Sequence, residues 1–142
     1  MRNPFLRTIS LVVALLLAQE TRAFETCVDL PTLVGVFAAF DNGDGSGLYE
    51  RAGSTRFREA MPRATWVRQM RAFRARVGGT ATRRTLIGSE LIEGGAEGAA
   101  CVVRFEARYT FGSIIEVWSF ERENGAWRMA GLWLSDFSPH LR

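Results

Sequence analysis

Apolar positions change their period once along the chain, and the change divides it in two. From Asp29 to Phe40, the residues Leu30, Leu33, Val34, Val36, Phe37 and Phe40 share one wide helical face, with Asp29 and Pro31 as start signals. The run Asp41-Asn42-Gly43-Asp44-Gly45-Ser46-Gly47 then breaks the helix, and Leu48 to Ala52 offers a short second one. Between Pro62 and Val77, Trp66, Met70, Phe73 and Val77 recur at steps of four, three and four, and Gly78-Gly79 supplies the stop. After Gly79 the period falls to two. In Cys101 to Phe111 the odd positions Cys101, Val103, Phe105, Ala107, Tyr109 and Phe111 are mostly apolar, with Arg104, Glu106, Arg108 and Thr110 between them. Gly112-Ser113 and Asn124-Gly125 read as two-residue hairpin turns leading to strands Ile114 to Glu123 and Ala126 to Ser135. A further strand, Thr80 to Glu93, precedes these across the turn Gly94 to Gly98. Two to three N-terminal helices packed on one face of a four-stranded antiparallel sheet make an α+β fold.

Ahead of this domain, Met1 to Arg7 is cationic and Thr8 to Ala18 is an apolar run too short to span a bilayer. It reads as a secretory signal peptide over residues 1–23, cut after Ala23, with a cut after Ala18 as the alternative. No small-residue lipobox precedes Cys27, so no stable membrane anchor is expected, and residues 24–142 form a single domain, periplasmic or secreted in a bacterium. Export allows Cys27 and Cys101 to pair as a disulfide.

Composition then removes whole classes of function. The 142 residues are 47% apolar, enough for one cored domain and too few for several. The net charge of +3 suggests a nucleic-acid binder, but loss of Arg2, Arg7, Arg22 and Glu20 leaves 15 arginines against 14 carboxylates. No electrostatic excess remains to drive nucleic-acid binding. His140 stands near the C-terminus and no Gly-x-Ser-x-Gly turn is present, which leaves nucleophilic hydrolysis without its parts. Asn42-x-Asp44-x-Ser46-Gly47 resembles half of a calcium loop, yet position twelve, where a bidentate Glu belongs, is Gly53. No cofactor or metal is implied, and the four aspartates all stand at the ends of elements.

Glu116 instead projects from mid-strand. If the two turns set the registers, Tyr109 and Trp133 both lie opposite Glu116, and one face collects Phe105, Tyr109, Trp118, Phe120, Met129 and Trp133 around that carboxylate. Such a face is either core or a pocket wall. A lone buried carboxylate is costly, so a cation is expected beside it, Arg83 from the first strand or Arg74 from the helix above.

The order of motifs resembles a known family: Asp41-x-x-Asp44, Tyr49, Trp66, Arg74-x-x-x-Gly78, Arg83, Phe105, Glu116 and Asn124-Gly125-x-Trp127-Arg128-x-Ala130-Gly131. It is similar to the uncharacterised exported bacterial proteins of the domain of unknown function 4019 family over about residues 30 to 135, with Tyr49 where the family often has Trp and Leu132 where it often has Tyr. The resemblance implies a cystatin-like or nuclear-transport-factor-two-like roll, a curved sheet half closed by helices, and implies no activity.

Two functions follow as expectations. The first is a non-enzymatic roll that binds a small apolar ligand or a protein partner, with Phe105, Tyr109, Glu116, Trp118, Trp133, Arg74 and Arg83 as binding residues. The alternative is an isomerase- or dehydratase-like enzyme with Glu116 as general acid or base and Tyr109 as hydrogen-bond donor. A catalytic Glu116 needs solvent access, whereas a structural one needs a permanent cation. Ile115 and Val117 on the reverse of their strand would serve a homodimer formed through the outer sheet face.

Overall fold

The computed structural model describes residues 26–95 and 98–139; the expected signal peptide and His140 lie outside the described residues. Helix α1 spans Leu30–Asp41, and Asp29 caps it by accepting from the Thr32 backbone N–H at 3.0 Å. The run that breaks it ends in a helical turn of its own, α2 (Gly45–Gly47), which leads into a π-turn over Leu48–Ala52, where a short second helix was expected. Helix α3 (Thr55–Ala60) follows, capped by Ser54, and then α4 (Arg63–Val77), which ends at Gly78 with φ 82°. That left-handed stop is the role its glycine was read for. Helix α3 escaped the sequence reading because six residues with one buried apolar side chain, Phe57, carry no periodicity.

Strands β1 (Arg83–Gly95), β2 (Gly98–Arg108), β3 (Gly112–Glu123) and β4 (Ala126–Leu134) form a curved, open antiparallel sheet in the order β1-β2-β3-β4, and β5 (Ser138–Pro139) pairs with the start of β3. The architecture is α+β with its helices first, as the change of period implies. The core lies between the inner sheet face and the helices, where Val103, Trp118, Phe120 and Met129 meet Leu33, Val36, Phe57 and Trp66. A disulfide joins Cys27 to Cys101, Cα to Cα 5.9 Å, and so ties the segment before α1 to β2.

Two registers depart from expectation. Asn124, at φ 52°, and Gly125, at φ 77°, do form a two-residue turn between Glu123 and Ala126. Gly112-Ser113 does not. The β2–β3 turn closes earlier, over Tyr109 to Gly112, with Arg108 opposite Ser113, so Glu116 faces Phe105 and not Tyr109. Gly112 is required for another reason, because a Cβ there would fall 2.3 Å from the Ser138 carbonyl oxygen and 2.6 Å from the Phe137 ring. The second departure is a bulge in β4. Phe120 faces Met129 as expected, but Ser119 faces Gly131, so the one extra residue rotates everything after it to the opposite face. Trp133 thus lies on the outer surface, 61% exposed and opposite Val117, while Leu134 takes the place opposite Glu116.

Candidate functional site

Glu116 sits on the inner face of β3 with no exposed surface. Its cation is neither of the two expected. Arg83 is opposite Arg108 on the exposed side of β1, and Arg74 donates to the Asp41 carbonyl at the end of α1 and to Thr80 Oγ1. The partner is Arg84, one residue along, which β1 turns inward opposite Ala107. Its Nε donates to Glu116 Oε2 at 2.8 Å and its Nη2 to Oε1 at 3.3 Å. The same guanidinium holds Asp41 in a bidentate pair, Nη1 to Oδ2 and Nη2 to Oδ1, both at 2.7 Å. Such planar two-point pairing is the geometry that arginine supplies and lysine does not.

Tyr109 Oη donates to Glu116 Oε1, and Trp118 Nε1 donates to Oε2 at 3.1 Å. The structure therefore brings Tyr109, Trp118 and Glu116 together as expected from their shared face, although the hairpin register differs. Burial, followed by the neighbouring Glu116 charge, raises the Tyr109 phenol well above its ordinary range. Burial works against the Arg84 charge, but the hydrogen bonds to Asp41 and Glu116 outweigh it and hold the guanidinium protonated. Arg84 Cζ also lies 4.4 Å from the centre of the Phe37 ring. Glu116 is thus paired with a permanent cation and has no exposed surface. The Arg84 guanidinium is matched on both sides by carboxylates, and a second guanidinium, that of Arg74, lies at the Asp41 carbonyl.

Asp41 and Arg84 were missed as partners. A usable signal for Arg84 was the spacing of two to Leu86, which faces Phe105 on the inner side; the irregularity between Leu86 and Gly88 breaks that parity further along β1. Of the other expected binding residues, Phe105 packs edge-on against Phe37 at 5.1 Å, and Trp118 meets Phe37 and Phe40 edge-on at 5.6 and 5.1 Å.

Beside the cluster, α1 and the inner ends of β1 and β2 enclose a groove of about 520 Å³. Val28, Leu33, Val34, Phe37, Leu86 and Phe105 line it, Leu30 stands at its mouth, and Arg84 supplies a polar edge at its floor. A larger cleft of about 830 Å³ lies between α4 and β4, walled by Met70, Phe73, Leu132 and Leu134, with Arg56, Arg76 and Glu121 around it. The calcium-like loop is used otherwise: Asp44 accepts from the Gly47 N–H at 2.9 Å and pairs with Arg51 at 2.7 Å. Among the described residues, no helix is long and apolar enough to cross a membrane.

Residues 34–132 match the model of a family described as protein of unknown function (DUF4019). No match is found among curated proteins.

Proposed function

The chain belongs to this family, and from that premise we propose that it is an exported, non-enzymatic roll which binds a small, uncharged, apolar molecule in the groove beneath α1. The observation that carries the reading is the groove itself: about 520 Å³, walled mostly by aliphatic and aromatic side chains, with a few polar edges from Arg84, Thr26 and Asp29. Ligand sites are commonly concave and apolar with a few placed polar groups. The charge of the ligand follows from the cluster behind the floor. Arg84 already faces both Asp41 and Glu116, so it offers no unmatched positive charge to an anionic head group. A neutral acceptor such as a carbonyl or ether oxygen could still meet its outer edge. Glu116 has a structural role in this reading, holding Arg84, Tyr109 and Trp118 in place. Export is supported by the cationic and apolar pattern of residues 1–23, and the Cys27–Cys101 disulfide fits an oxidising compartment.

Protein recovered from the periplasm of an expressing bacterium tests both parts. Intact mass should correspond to a chain beginning at Phe24 with the disulfide formed, and an organic extract should contain a neutral apolar compound. Val34→Arg, which places a charge at the exposed mouth of the groove, should purify without that compound. An extract that is empty for the wild type, or the same for both proteins, would overturn the binding reading.

A further inference from the structure

The outer sheet face carries two adjacent rows, set by the strand registers. The first places Arg104, Val117 and Trp133 side by side across β2, β3 and β4; the second places Glu106, Ile115 and Ser135 in the same order, with the Ser135 N–H held by the Ile115 carbonyl at 3.0 Å. The face is neither a filled core nor an ordinary polar surface. Trp133 is 61% exposed, Val117 and Ile115 are half-buried, and neither Arg104 nor Glu106 has an ion-pair partner among the described residues. Gly88, opposite Arg104 on β1, has no side chain to cover the guanidinium.

We infer that this face pairs with the same face of a second copy of the chain, about a two-fold axis that runs across the strands midway between the two rows. An axis in that place exchanges the rows. Arg104 of each copy comes to lie over Glu106 of the other, Val117 over Ile115, and Trp133 over Ser135. The patch is thus complementary to itself in charge and in apolar content, which an isologous interface requires. Sheets packed face to face also keep their strands nearly aligned, so a two-fold of this orientation agrees with sheet packing. A different protein would need no such match between neighbouring rows.

The axis repeats each contact, so reversing one charge acts twice. Sedimentation velocity of the exported protein over a range of concentrations should give a reversible dimer. Arg104→Glu and Glu106→Arg should each weaken the dimer by at least about tenfold, because each sets like charges against one another. The double variant should return to within about threefold of wild type, since the pair is restored with its signs exchanged. Both residues lie on the outer face, so thermal melts of the variants report whether each monomer stays folded. A wild type that is monomeric up to about 100 μM, a dimer indifferent to the single changes, or a double variant no better than the singles would each overturn the inference.

Discussion

Glu116→Ala is the perturbation whose cost the structure defines best. The carboxylate is fully buried and serves three donors, Tyr109 Oη, Trp118 Nε1 and the Arg84 guanidinium. Removing it does not strand Arg84 altogether, because Asp41 keeps its two bonds at 2.7 Å. The loss comes instead from the Tyr109 hydroxyl, the Trp118 indole N–H and the Arg84 Nε–H, each buried without an acceptor, and from the space left by the side chain. An orphaned buried donor costs about 1–3 kcal/mol, and breaking a buried ion pair from one side costs about 3–5 kcal/mol. Overlap between these terms gives an expected loss of roughly 3–5 kcal/mol. Glu116→Gln keeps one acceptor oxygen but turns an amide N–H₂ toward donors, so about half that loss is expected. Arg84→Met should cost as much as Glu116→Ala, since it takes from the buried Glu116 its cation and from Asp41 the guanidinium that bridges the two. Arg84→Met with Glu116→Leu should cost less than the two single changes together by at least about 2 kcal/mol, because an apolar pair does not miss its charges. Urea unfolding followed by circular dichroism, with unchanged slopes, measures all of these. Losses below about 0.5 kcal/mol for both Glu116→Ala and Glu116→Gln would refute the reasoning.

Replacing Cys27 and Cys101 by serine opens a loop of sequence separation 74, and by loop-closure entropy should lower stability by about 4 kcal/mol; a urea midpoint unchanged by the replacement would contradict this. The raised Tyr109 phenol has its own pH signature: folded protein keeps the proton above the unfolded value of about 10, so stability should be level below that pH and fall above it. In Tyr109→Phe the alkaline fall should be shallower, as read from melts between about pH 8 and 11. Asp29→Ala removes the cap of α1 and should cost about 1 kcal/mol, measurable by the same urea unfolding.

Long periodic elements were legible because many residues agree on them. The stripe of Trp66, Met70, Phe73 and Val77 with Gly78 behind it gave α4, and the alternation through β2 and β3 placed Tyr109, Glu116 and Trp118 on one face whatever the turn between them. What stayed hidden depended on single residues whose signal has more than one cause. Gly112 looks like a turn glycine and is instead a point of close approach to Ser138 and Phe137. The bulge at Ala130 is marked only by Gly131 beside it, a glycine that close approach to Ser119 would also explain, and the one extra residue puts Trp133 outside rather than inside. The irregularity in β1 likewise hid which of two adjacent arginines reaches the core. Asp41 was visible as part of a motif, but its partner Arg84 lies 43 residues away, and only the packing of α1 over β1 brings them together.

The groove beneath α1 must admit an apolar occupant and must prefer an uncharged one. Two fluorescent probes of nearly one shape separate these requirements, phenylnaphthylamine, which is neutral, and anilinonaphthalene sulfonate, which carries a fixed negative charge. Titrated into delipidated protein, the neutral probe should bind at one site per chain and be lost in Val34→Arg, and the sulfonate should bind at least about tenfold more weakly, since Arg84 is already matched by Asp41 and Glu116 and the Asp29 carboxylate also lines the groove. Equal affinity for the two probes, or neutral-probe binding that Val34→Arg leaves intact, would contradict it.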